Sequence, residues 1–92
     1  MLLVRAAIRV TGRVQGVWFR QSTKQIADQY GVTGWVRNNP DFSVSAVFEG
    51  NEAAVKAVID WCQQGPEMAH VEDRELEWQV ATGEFDQFRV VR

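Results

Sequence analysis

The chain has 92 residues, 46% of them hydrophobic and 24% charged, with a formal net charge of −2. That length favours one domain over residues 1–92, the composition is globular rather than disordered, and no apolar run approaches the roughly 20 residues of a membrane span. The single cysteine excludes an internal disulfide and a cysteine-rich metal cluster, and the single histidine, His70, excludes a multi-histidine zinc site.

The apolar start, MLLVRAAIRV, is broken by Arg5 and Arg9 at strand spacing. A secretory leader is not expected, and the default location is the cytoplasm. Residues 3–11 alternate, with Val4, Ala6, Ile8 and Val10 on one face and Arg5, Ala7, Arg9 and Thr11 on the other, as in a half-buried strand. Residues 12–17, with Gly12 and Gly16, interrupt that strand. From Phe19 the period changes: Phe19, Thr23, Ile26, Ala27 and Tyr30 share one helical face, and Gly31 stands where a left-handed terminator is expected.

Residues 33–38 form a short apolar run read as a strand, and Asn39-Pro40-Asp41 is a turn signal. Residues 43–49 alternate again, with Val44, Ala46 and Phe48 opposite Ser43, Ser45, Val47 and Glu49, which predicts the return arm of a hairpin. Asn51 is placed to cap a second helix with Val55, Val58, Ile59 and Cys62 as its apolar stripe and Gly65-Pro66 as its end. Residues 70–80 predict a long strand and residues 85–91 a short last one. The order β-α-β-β-α-β plus a terminal strand predicts an α+β, ferredoxin-like sandwich, with both helices on one face of an antiparallel sheet. That plan hosts many activities and assigns none.

Charge is unevenly distributed. Residues 1–37 carry Arg5, Arg9, Arg13, Arg20, Lys24 and Arg37 against Asp28 alone, a net +5, and the remainder carries −7. A whole-protein attraction to nucleic acid is therefore weak, while a local anion site in the first half is open. The segment Gly12-Arg13-Val14-Gln15-Gly16-Val17-Trp18-Phe19-Arg20 sits where a strand ends and a helix begins. Helix N-termini present unpaired amides, glycines let several N–H groups turn inward, and an arginine fork can grip the same oxyanion. The spacing fits neither the P-loop nor the dinucleotide-binding pattern, so on general grounds a structural turn and an anion site both remain open.

The whole string is more specific than its glycines. V-x-G-x-V-Q-G-V-x-F-R, from Val10 to Arg20, resembles the first signature of the acylphosphatase family. Gly34-Trp35-Val36-Arg37-Asn38, with Val44 and Gly50 beyond it, resembles the second. The resemblance covers essentially the whole chain. It implies hydrolysis of the carboxyl–phosphate bond of acyl phosphates without a metal or other cofactor. The phosphate would be held by Arg20 and by the loop of Arg13, Val14, Gln15, Gly16, Val17 and Trp18. Asn38 would orient the attacking water.

One position departs from the pattern: Phe42 follows Asp41 where the family has glycine, and a phenylalanine at positive φ would be strained. Among other residues, Cys62 and the tryptophans Trp35, Trp61 and Trp78 are expected to pack, and Trp18 to border or shield the pocket. Thr23 is divided between helix interior and site. Arg37, His70 and the acidic run Glu72, Asp73, Glu75 and Glu77 are expected to be solvated. The partners implied are an acyl phosphate and inorganic phosphate, for a monomer without nucleic acid or membrane. The alternative is a non-catalytic module binding phosphate or carbamoyl phosphate, as inside larger maturation proteins, or binding RNA. The 92-residue length disfavours the first, and the RNA-binding strand motif of such sheets is missing.

Overall fold

A computed structural model describes residues 2–91. The elements are β1 (Leu3–Arg13), α1 (Phe19–Tyr30), β2 (Thr33–Asn38), β3 (Val44–Asn51), α2 (Glu52–Cys62), β4 (His70–Gln79) and β5 (Phe88–Val90). They build a five-stranded sheet in the order β4-β1-β3-β2-β5, in which the β4–β1, β1–β3 and β3–β2 pairs are antiparallel. The expected plan holds with one refinement: β5 is only three residues long and pairs parallel to β2, so the sheet is mixed at that edge.

The alternation of β1 fixes the layers. Ala6, Ile8 and Val10 are buried beneath the helices, while Arg5 and Arg9 point to the opposite face. Buried Ala54, Val55, Val58, Ile59 and Cys62 bring α2 onto that core, and Phe19, Thr23 and Ala27 bring α1. The two helices meet where Phe19 packs against Trp61, their ring centroids 5.6 Å apart, and Phe48 stacks on Phe88 at 5.7 Å to hold β5 against the sheet. Such aromatic pairs contribute about 0.5–1.5 kcal/mol each beyond the area they bury. Asn51 caps α2 as its position suggests, its Oδ1 accepting from the Ala54 N–H at 2.8 Å. The Cys62 thiol is fully buried and its pKa is pushed up to about 12 by desolvation, which the nearby Arg74 charge only partly offsets.

Three expectations change in the structure, and one residue of β3 is buried where alternation alone does not require it. Gly12 does not end β1; it continues the strand through a register shift against β4, at φ 114, where a Cβ would meet the His70 carbonyl oxygen at 2.3 Å. Tyr30, in the last turn of α1, is exposed rather than packed. Trp78 points to the helix side, opposite Ala6, but β4 is the edge strand and the indole stays 46% exposed. Glu49 alternates to the outer face yet is buried, because the chain after β4 folds over it. The Thr82 and Gly83 N–H groups each donate to its carboxylate at 2.9 Å. Arg5, 3.6 Å from Glu49, also pairs with Glu84 at 2.7 Å.

Candidate active site

The chain between β1 and α1 is shaped by two left-handed residues. Gly16 has φ 73, and among the described residues nothing beyond its own chain neighbours lies within 4 Å of where a Cβ would stand. Packing therefore leaves that position open, and only the backbone angle and whatever occupies the cleft ask for glycine. Trp18 occupies the N-cap of α1 at φ 66 and ψ 22, with no side-chain cap bond. Its carbonyl accepts the first helical bond, from the Ser22 N–H at 3.0 Å. Among the described residues, the main-chain N–H groups of Gln15 through Gln21 have no acceptor within the protein. Unpaired donors at a helix start carry partial positive charge and suit an anion.

Val14, Gly16, Trp18, Phe19, Arg20, Gln21 and Asn38 line a cleft of about 270 Å³ beside these donors. Arg20 comes from the first turn of α1 and is half-buried; its Nη1 donates to the Val91 carbonyl oxygen at 3.4 Å. Among the described residues no carboxylate lies within ion-pair distance of Arg20. Asn38 is the last residue of β2 and half-buried, and it joins the cleft lining from a strand separated from β1 by β3.

The hairpin is fastened to the loop by Gln15. Its Nε2 donates to the Asn39 and Ser43 carbonyl oxygens, both at 2.9 Å. The turn itself is dense with bonds: the Asn39 N–H donates to the Ser43 carbonyl at 2.8 Å and the Phe42 N–H to the Asn39 carbonyl at 3.1 Å. Asn39 Nδ2 donates to the Ser43 and Ser45 hydroxyls. Asp41 accepts from Ser43 and pairs with Arg9 at 2.6 Å, and these partners hold its carboxyl far below the usual carboxylate range. Phe42 does take the position the family gives to glycine, at φ 72, and is 74% exposed. The turn keeps a left-handed residue there and carries the strain, worth about 1–2 kcal/mol.

Of the residues singled out in the sequence, Val14, Gly16, Trp18, Arg20 and Asn38 come together at the cleft. Val17 is buried in the core and Gln15 is turned to the hairpin, so neither is part of the cleft lining. Arg13 sits at the end of β1, paired with His70 and outside the lining. Phe19, expected on the apolar face of α1, and Gln21, which no motif marks, also line the cleft as the neighbours of Arg20 in the first helical turn. Thr23 belongs to the helix interior, its hydroxyl donating to the Phe19 carbonyl at 2.7 Å. Arg37 lies over the Trp35 ring at 5.1 Å and donates to Asn39 Oδ1. The open face of the sheet engages Arg5 with Glu49 and Glu84, and Arg9 with Asp41 and Glu75.

Acceptor-less main-chain N–H groups at a strand–loop–helix junction adjoin a cleft lined by Arg20 and Asn38, and a ferredoxin-like α+β sheet carries both. The family model described as Acylphosphatase matches residues 6–90. A protein named Acylphosphatase from Pyrobaculum calidifontis is 53% identical over 90 residues, covering 97% of this chain and 82% of that one. The crystal structure of acylphosphatase from Bacillus subtilis superimposes with a TM-score of 0.93 at 31% identity, covering 99% of this chain and 100% of the other. Full-length HypF in its phosphate- and nucleotide-bound form aligns with a TM-score of 0.89 at 27% identity, over 99% of this chain but 12% of that one. The chain belongs to the acylphosphatase family. Among the described residues no helix is long and apolar enough to cross a membrane.

Proposed function

We propose that this protein hydrolyses the carboxyl–phosphate bond of acyl phosphates, with the cleft between the β1–α1 loop and Asn38 as its active site. One observation carries the reading: acceptor-less amides, the Arg20 guanidinium and the Asn38 carboxamide gather at one cleft. The amides and Arg20 hold the phosphoryl oxygens, Arg20 through its fork, and stabilise the charge that builds on them. Asn38 holds the water against phosphorus. The water oxygen bonds to phosphorus as the bond from phosphorus to the carboxylate oxygen breaks. That oxygen leaves with the electron pair, and the water's proton passes to the phosphate product or to solvent.

The chemistry needs little more. A carboxylate leaving group has a conjugate acid of pKa roughly 4, so it departs without a proton donor. A loose, metaphosphate-like transition state asks little of the nucleophile, so positioning and charge stabilisation suffice and no metal or cofactor is required. The partners in this reading are the acyl phosphate and inorganic phosphate; the protein acts as a cytoplasmic monomer, without nucleic acid or membrane. The ion pairs that engage Arg5 and Arg9 on the open sheet face support the exclusion of nucleic acid.

The test is benzoyl phosphate hydrolysis at neutral pH. Arg20→Ala lowers kcat/KM by at least about a hundredfold, the scale of one lost oxyanion donor, and Arg20→Lys recovers little because lysine has no fork. EDTA leaves the rate unchanged. An Arg20→Lys enzyme of normal rate, or strong inhibition by the chelator, refutes the assignment.

A further inference from the structure

We infer that Trp18 selects among acyl phosphates by their acyl group, its indole forming the apolar wall on which a bulky or aromatic acyl group rests. The inference rests on the reading of the cleft as a phosphate site. The phosphate end of a substrate is matched by amides and Arg20, and the acyl end must extend away from them along the cleft lining. Of the apolar side chains in that lining, Val14 and Phe19 are buried in the core, while Trp18 is 71% exposed. Gly16, Arg20, Gln21 and Asn38 complete the lining and offer no apolar surface of comparable size.

Among the described residues the indole is left without a ring partner. Trp61 packs against Phe19 and Trp35 lies under Arg37, whereas Trp18 takes part in no aromatic or cation–π pair. It makes no capping bond for α1. Its backbone is held at φ 66, a left-handed conformation costly for a bulky residue, so the backbone alone favours glycine here over an indole. A large aromatic kept exposed at a strained position beside the cleft is accounted for by contact with a ligand.

An aromatic or bulky acyl group gains contact with the indole that acetyl does not. Pairs of this kind change affinity by about three- to tenfold. The measurement is the ratio of kcat/KM for benzoyl phosphate to that for acetyl phosphate, in the wild type, Trp18→Gly, Trp18→Ala and Trp18→Phe. The ratio falls about three- to tenfold in the glycine and alanine variants and stays near wild type in the phenylalanine variant. Glycine suits the backbone angle, so its fold is expected to survive, and circular dichroism checks both small variants. A ratio unchanged in a folded Trp18→Gly or Trp18→Ala, or one that falls as far in Trp18→Phe, overturns the inference. Inorganic phosphate is run as a competitive inhibitor of the wild type. If it does not inhibit and neither substrate is turned over, the reading of the cleft has failed instead.

Discussion

Replacing Gln15 by leucine isolates the contact that joins the two halves of the site. The side chain keeps its size but loses two hydrogen bonds of 2.9 Å, to the Asn39 and Ser43 carbonyls. Neither carbonyl is orphaned, since the first still accepts from the Phe42 N–H and the second from the Asn39 N–H. The cost is therefore that of the bonds themselves, about 1–3 kcal/mol for the pair. For a domain of this size that lowers Tm by roughly 5–15 °C. Asn38 immediately precedes the turn that is released, so kcat for benzoyl phosphate falls about ten- to a hundredfold, the range that an ångström of misplacement produces. The main-chain donors of the loop survive, and inhibition by inorganic phosphate changes only a few fold. Thermal unfolding and steady-state kinetics with phosphate as competitor give all three values. A leucine variant with wild-type Tm and kcat would refute the view that Gln15 couples the loop to the hairpin.

Three further outcomes follow from the same geometry. Asn38→Ala reduces kcat while leaving phosphate inhibition nearly intact; the reverse pattern in steady-state kinetics would exchange the roles of Asn38 and the cradle. Phe42→Gly removes about 1–2 kcal/mol of left-handed strain and forfeits up to about 1 kcal/mol from the quarter of the ring that is covered, so urea unfolding gives equal or slightly higher stability. A loss above about 1 kcal/mol would show that Phe42 is anchored by contacts outweighing its strain. The Asp41 carboxyl is held below its ordinary pKa, first by the Ser43 hydroxyl and then by Arg9, so its contribution is complete above about pH 4 and is lost as pH falls further. The stability gap between wild type and Asp41→Asn, measured by thermal unfolding, is then constant from pH 7 to 5 and narrows towards pH 2; a gap that widens there contradicts the assigned partners.

The layers of the fold were legible because period carries them. The two-residue alternation of β1 and β3 and the helical stripe of α2 name the buried face directly, and Asn51 marks its helix start by chemistry alone. The features the sequence concealed depend on a distant partner. Gly12 reads as a strand breaker until the bulge against β4 and the close His70 carbonyl are known. Alternation places Glu49 on the outer face of β3, and only the fold of the chain after β4 supplies the N–H groups that permit its burial. The site divides the same way. Arg20, Gly16 and Asn38 were visible through their motifs, whereas the bonds of Gln15 reach residues 24 and 28 positions away and left no local trace. Phe42 departs from the family pattern in the sequence itself, whereas its positive φ is a property of the folded backbone.

The claim on which the mechanism stands is that the unpaired amides of the β1–α1 loop are an oxyanion cradle rather than a solvated turn. Titrating ¹⁵N-labelled protein with inorganic phosphate, in the wild type and in Arg20→Ala, tests it most directly. Saturable amide shifts concentrated from Gln15 to Gln21, and lost in the variant, are the expected result. Shifts spread over the basic surface, or a loop that phosphate leaves unmoved while the enzyme still turns over acyl phosphates, would contradict it.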